Sequence, residues 1–187
     1  MIGSKIPIRI AKARWAWSEL TSPRFGNKYA AMGPDAIRLQ YLAKNGAAFD
    51  ALPEPDKDIL VSLIEKRQPG FMRDIANVKE FVCEAWTQDD LMKTIAIPAL
   101  SPGKDRLLPY ADFIKNPPHM VGGQPEWSDP RVSADSWPQG KPYSQDEPAI
   151  AILHSGDKIL VDGYGRSVIF VKHGKSDDKF LVWVPAT

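Results

Sequence analysis

Near its C-terminus the chain reads KILVDGYGRSVIFVKHG, residues Lys158 to Gly174. A run of strand-forming residues stops at Asp162-Gly163, and a helical pattern of apolar residues starts at once. This junction constrains the fold more than any other segment. A strand that passes straight into a helix leaves the helix's first backbone N–H groups without intrahelical partners. Those donors, with the positive end of the helix dipole, form a ready site for an anion. The flanking sequence predicts a sheet: AIAIL reads as a strand, HSGD as a turn, and KFLVWVP as a closing strand. The hairpin strands are apolar at nearly every residue, the pattern of a sheet buried on both faces.

The residue types at the junction suit phosphate. Gly163 has no Cβ to keep a phosphate at a distance, and Gly165 lets the first helical turn stay open. Arg166 can fork onto the same anion, and Ser167 offers a hydroxyl. Gly163, Tyr164, Gly165, Arg166 and Ser167 are therefore the candidate nucleotide- or phosphate-binding set. Asp162 can hold a Mg²⁺, orient Arg166 or act as a base, which suits a nucleotide phosphate accompanied by a metal. A plainer alternative stays open: Asp162 caps the helix and Arg166 pairs with it for structural reasons alone.

Upstream, from Gly33 to about Lys93, the pattern is helical. GPDAIRLQYLAKNG places Pro34 as a first-turn residue and Gly46 as a stop, with Ile37 and Tyr41 on one face. PDKDILVSLIEKR has acids first and bases last, matching the helix dipole. GFMRDIANVKEFVCEAW repeats apolar residues at Phe71, Ile75, Val78, Val82 and Trp86, which predicts a core-facing helix with Cys83 as a small hydrophobe beside the stripe. Thr87 with Asp90 resembles a capping box opening a short turn. KTIAIPAL reads as a strand. Between Ser101 and Glu147 lie eight of the 17 prolines, with Tyr110, Phe113, Trp127, Trp137 and Tyr143 among them. Proline excludes regular sheet or helix there and the aromatics offer area to bury, so an ordered, loop-rich wrap is expected.

Whole-chain charge is close to neutral, at +1, and argues neither for nor against nucleic acid. Locally, Lys5, Arg9, Lys12, Arg14, Arg24 and Lys28 face only Glu19 across the first 28 residues. Trp15 and Trp17 sit inside that run. Basic residues interleaved with aromatics suit phosphate contact and base stacking, or an anionic membrane surface. Arg9, Lys12, Arg14, Trp15 and Trp17 are thus the candidate nucleic-acid or partner-binding set; the alternative is a solvated arm whose tryptophans dock on the body. One cysteine excludes a disulfide framework, and no stretch approaches the roughly 18 apolar residues of a membrane span. The N-terminus has no secretory pattern, and a cytoplasmic location is expected.

The segment EPAIAILHSGDKILVDGYGRSVIFVKHGKSDDKFLVWVP resembles the core of the ParB/sulfiredoxin superfamily, in which a strand ends in Gly and a helix opens with Arg. Relatives often read Asp-Gly-His-His-Arg at the junction. Here Asp162, Gly163 and Arg166 match, while Tyr164 and Gly165 replace the middle pair. Sulfiredoxins carry a catalytic Cys where this chain has Tyr164. Chromosome-segregation ParB proteins read Gly-Glu-Arg-Arg there, and this chain keeps only Gly163 and Arg166. The resemblance therefore points to the ParB-like ATPases, nucleases and small-molecule kinases. Length, the helical N-terminal half and the motif's position are similar to the plasmid fertility-inhibition factors.

The resemblance implies an α/β (α+β) fold: a basic arm and helical region over 1–93, packed on a ParB/sulfiredoxin-like mixed sheet over 94–187. It implies a fertility-inhibition factor that blocks DNA export by a type IV secretion system, through ATP hydrolysis and DNA cleavage. Its catalytic residues would be Asp162, Arg166 and Glu147, with ATP and Mg²⁺ as cofactors and Asp162 as candidate metal ligand. Glu126, Asp129 and Asp135 are weaker carboxylate candidates. Arg131 and Lys141 could add phosphate contacts, and His119 and His173 acid–base work. DNA and the conjugation machinery would be partners, the latter holding the protein at the inner membrane. Two alternatives remain: a catalytically inert ParB-like module that binds the DNA-transfer machinery, and a ParB-like small-molecule kinase.

Overall fold

A computed structural model of the chain describes residues 1–22, 24–97, 107–125, 129–145 and 147–186. The chain is mixed α/β and divides into two compact units, Lys5–Phe81 with Ala186–Thr187, and Val82–Pro185 with Met1–Ser4. The change of unit falls at Phe81/Val82, ahead of the expected division at 93/94.

The first unit is helical. After a short strand β1 (Lys5–Pro7) come α1 (Ile8–Leu20), α2 (Gly26–Ala30), α3 (Pro34–Lys44), α4 (Glu54–Arg67) and α5 (Pro69–Asp74). Proline falls in the first turn of α3 and α4, where its missing N–H costs nothing. Glu54 and Asp56 open α4, and Lys66 and Arg67 close it, in the sense the dipole favours. Ile37 and Tyr41 do share one face of α3, but it is the exposed one: Ala36, Leu39 and Gln40 are buried instead.

The basic N-terminal run is not an arm. It is α1, and its buried face carries Ala11, Ala13, Trp15, Ala16 and Leu20. Arg9 meets Asp58 at 2.6 Å and Glu54 at 2.7 Å, Lys12 meets Glu65 at 2.7 Å, and Arg14 meets Asp50 at 2.6 Å. Trp15 is 1% exposed, so its ring cannot stack on a base, while Trp17 is half-buried. The Trp15 Nε1–H donates to the buried Glu19 carboxylate at 3.0 Å, which also accepts from Tyr29 Oη at 2.7 Å and Gln68 Nε2 at 3.3 Å. That satisfies a charge that would otherwise be costly to bury.

The second unit is built on a mixed sheet. Its strands β2 (Glu80–Trp86), β3 (Ile95–Ala96), β4 (Leu108–Pro109), β7 (Ala149–His154), β8 (Asp157–Asp162) and β9 (Phe180–Pro185) lie in the order β2-β9-β7-β8-β3-β4. β7 and β8 form an antiparallel hairpin with an irregularity between Ile150 and Ala151. β9 runs parallel to β7, and β3 parallel to β8. Ala149–Ile152, Ile159–Val161 and Val182–Val184 are all buried, as the apolar strands required.

Two expectations are corrected here. Residues 80–86 are a strand, not the end of a helix; Phe81 and Cys83 alternate inward with exposed or half-buried neighbours, a period of two that outweighs the coincidental helical spacing. The proline-rich segment also holds regular pieces: α7 (Tyr110–Lys115), a hairpin of β5 (Met120–Val121) with β6 (Gln124–Pro125), and α8 (Pro130–Asp135). Of KTIAIPAL, only Ile95–Ala96 forms a strand, and residues 98–100 lie outside the described ones. The expected capping box is present: Thr87 Oγ1 accepts from Asp90 N, and Asp90 Oδ2 from Thr87 N, at the start of α6 (Gln88–Met92). Among the described residues no helix is long and apolar enough to cross a membrane.

Cys83 is 1% exposed, and its backbone pairs with the N-terminal residues: Cys83 N donates to Ser4 O, and Gly3 N to Cys83 O. Burial pushes its thiol pKa up. A disulfide exchange reagent should therefore label the native protein far more slowly than the urea-unfolded one. Equal rates in both states would show an open, reactive thiol.

Candidate functional site

β8 ends at Asp162 because Gly163 turns the chain with φ 90°. A Cβ at this position would stand 2.5 Å from the Ala149 Cβ on the neighbouring strand, so only glycine fits. α9 (Tyr164–His173) starts at once, and its N-cap, Gly163, has no side chain with which to cap the first turn. Tyr164, Ser167, Val168 and Phe170 are buried. Arg166 lies off this face and reaches back one turn, its Nη2 2.8 Å from Asp162 Oδ2.

The two partners differ in exposure. The Arg166 side chain keeps 30% of its surface and Asp162 14%. Arg166 Nε is buried with no hydrogen-bond partner among the described residues. A Cβ placed on Gly165 meets nothing within 4 Å, so the space over the first turn is open. Arg166 also lies close enough to Tyr143 to act on its phenol: burial pushes that pKa up, and the guanidinium opposes the shift. The segment carrying Tyr143 is tied down by Gln145, whose side chain pairs with β9 as a strand residue would. Leu181 N donates to Gln145 Oε1 at 2.7 Å, and Gln145 Nε2 donates to Leu181 O at 2.8 Å.

Two members of the expected phosphate set point elsewhere. Ser167 is fully buried; its Oγ donates to Tyr164 O at 2.8 Å and shares a 2.6 Å bond with Tyr110 Oη. The Tyr164 hydroxyl donates to Leu160 O and accepts from Ile97 N at 2.8 Å. Both hydroxyls are committed to the interior, so the hydroxyl that Ser167 was expected to offer an anion is spent on Tyr164 O and Tyr110. Tyr164 fills its site as an aromatic, packed against the rings of both Tyr110 and Phe113.

Glu147 is half-buried and precedes β7, which begins at Ala149, so it does not open the strand. Asp162 Oδ2 is occupied by Arg166, and no three His, Cys, Asp or Glu side chains among the described residues group as metal ligands. These residues do not form a protein cage for Mg²⁺. Glu126 lies outside the described residues. Asp135 pairs with Lys172, and His173 Nε2 bonds Ala134 O at 3.1 Å at the end of α9. Lys141 Nζ stands 4.5 Å from the Trp137 ring centroid.

Asp129 and Arg131 are not surface charges. Asp129 accepts from Arg131 N and Nε at 2.9 Å each and from His119 N at 3.1 Å, while Arg131 Nη1 donates to Phe113 O and Asn116 O. Burial pushes the Asp129 carboxyl up, but Arg131 and the backbone amides of Arg131 and His119 outweigh it and hold the group below its usual range. The pair knits α7, the following loop and α8 together.

No protein-family model matches this chain, and no curated protein or solved structure matches it either. A cleft of about 800 Å³ in the same unit is lined by Cys83, Glu84, Trp86, Lys93 and Lys158, not by the junction. Three of its side chains pair with one another: Glu84 Oε2 takes Trp86 Nε1 at 2.6 Å and Lys158 Nζ at 2.7 Å.

Proposed function

We propose that the chain binds the phosphates of a nucleotide, ATP in the first instance, at the first turn of α9. In this reading it is a ParB-like hydrolase of the plasmid fertility-inhibition type, which blocks DNA export through a type IV secretion system by ATP hydrolysis and DNA cleavage. One observation carries it: a half-exposed arginine, held by Asp162 and with an Nε that has no hydrogen-bond partner among the described residues, stands on a helix start with glycine at its N-cap, where Gly165 leaves room for an anion. The helix N–H groups and the guanidinium would share the phosphate's charge, and Asp162 would fix the arginine's direction.

Arg166→Ala should bind ATP and a nonhydrolysable analogue at least about tenfold more weakly, the loss expected for one hydrogen bond to a charged group. Phosphate release from ATP with Mg²⁺, with or without DNA, should fall with it, at unchanged circular dichroism. Gly165→Ala separates binding from folding. It should stabilise the helix by up to about 1 kcal/mol while weakening nucleotide binding, because its methyl group enters the open space. Full binding in both variants would remove the site.

A second reading, the catalytically inert interaction module, is favoured by one observation: Ser167 and Tyr164 spend their hydroxyls inside the fold. It predicts no ATP turnover by the wild type under any of these conditions.

A further inference from the structure

The exposed face of α3 is spaced alike from either end. Pro34, Ile37, Tyr41 and Lys44 follow one another at intervals of three, four and three, the spacing of a single stripe along a helix. Ile37 keeps 54% and Tyr41 67% of its surface. On the opposite side Ala36, Leu39 and Gln40 are buried, where α3 packs on α1, α2 and α4. Two large side chains one turn apart therefore face water together, on a helix whose other face is already covered.

Charge follows the same symmetry. Asp35 is exposed in the first turn of α3 and Lys44 in the last. A second α3, turned end for end about an axis at the level of Leu39, sets Ile37 against Tyr41 of the copy and Pro34 against Lys44 of the copy. Asp35 then stands beside that ammonium, and each contact occurs twice. Parallel packing would instead set Asp35 on Asp35 and Lys44 on Lys44, which repel. Arg38 flanks the stripe but brings no bare charge to it, because its Nη1 and Nη2 donate to Asp56 at 3.0 and 2.6 Å.

We propose that α3 is the contact surface of a homodimer, in which two copies of this chain pack antiparallel through Ile37 and Tyr41, with Asp35–Lys44 ion pairs at both ends. A two-fold contact requires a patch complementary to itself, and this stripe is one. α3 has 11 residues and is about 16 Å long. So short a contact buries less than permanent dimers do, and the association is concentration-dependent. A membrane surface fits less well, because the apolar stripe is narrow and Asp35 stands beside it. This surface goes beyond the proposed function and does not depend on Arg166.

The test is sedimentation velocity of the full chain from about 1 μM to 1 mM, the range over which weak complexes form and come apart. The wild type should pass from monomer to dimer. Tyr41→Glu, at an exposed position, should weaken the dimer at least about tenfold, the loss expected for an aromatic anchor, at unchanged circular dichroism. Arg166→Ala should dimerise as the wild type does. Charge reversal fixes the orientation. Asp35→Lys alone and Lys44→Glu alone each set like charges together at both ends, and each should weaken self-association about threefold to tenfold at low salt. Mixed with one another, the two variants regain attraction at both ends and should form a heterodimer as tight as the wild-type dimer. The proposal is overturned if the wild type stays monomeric throughout, if Tyr41→Glu dimerises unchanged, or if the mixture associates no better than either variant alone.

Discussion

Gly163→Ala should destabilise the protein by about 2–5 kcal/mol and lower its melting temperature by about 5–15 °C. Two costs add. An L residue at φ 90° is strained, and its Cβ would sit 2.5 Å from the Ala149 Cβ and 3.1 Å from its Cα. Neither contact can be relieved by rotating a flexible side chain, because Ala149 belongs to the buried hairpin strand β7. The same Cβ would also meet Arg166 Nη2 at 3.1 Å, so the Asp162–Arg166 pair shifts even in molecules that fold. Thermal unfolding of Gly163→Ala beside Gly165→Ala is the measurement, since the two glycines that flank Tyr164 should move stability in opposite directions. A Gly163→Ala protein as stable as the wild type would mean the turn is not tight.

That turn was legible in the sequence because its signals agree at every level. The apolar strand, Asp-Gly and the helical period after Tyr164 each demand the same geometry, and β7, β8, α9 and β9 fall where they point. The capping box at Thr87 was legible for the same reason: both of its hydrogen bonds are local. Residues 80–86 were not. Phe71, Ile75, Val78, Val82 and Trp86 sit three or four apart, but Ile75 ends one element and Val82 and Trp86 belong to another. Periodicity cannot report a break that carries no proline and no glycine.

Charge misled in the opposite direction. The basic face of α1 looks unmatched only over a local window, because its acids lie 36 to 53 positions away, on α4 and just before it. In the candidate site, the Asp162–Arg166 pair could be anticipated from its spacing of four across the strand-to-helix turn. The inward turn of Ser167 could not, since its partner Tyr110 is 57 residues away. The placement of Tyr143 near Arg166 and of Gln145 on β9 was no more legible, because a proline-rich segment with no period to read positions both.

Arg131→Ala should cost about 3–5 kcal/mol, the range for breaking a buried ion pair from one side. The Asp129 and Arg131 side chains keep only 4% and 9% of their surfaces, so the carboxylate left behind cannot turn to water. Arg131→Lys should recover little, because one guanidinium both grips Asp129 and donates to Phe113 O and Asn116 O, and an ammonium cannot span those acceptors. Replacing both partners with apolar residues of similar size should cost less than Arg131→Ala alone, since no charge is stranded. The effect also has a pH sign. Asp129 has a depressed pKa in the folded protein, so its contribution is complete above the unfolded carboxyl value of about 3.9 and is lost as pH falls through the folded value. In urea unfolding, the gap between wild type and Arg131→Ala should be widest near neutral pH and close in acid. A gap that stays constant below about pH 4 would assign the loss to packing against the Phe113 ring, 4.8 Å from the guanidinium, and not to the ion pair.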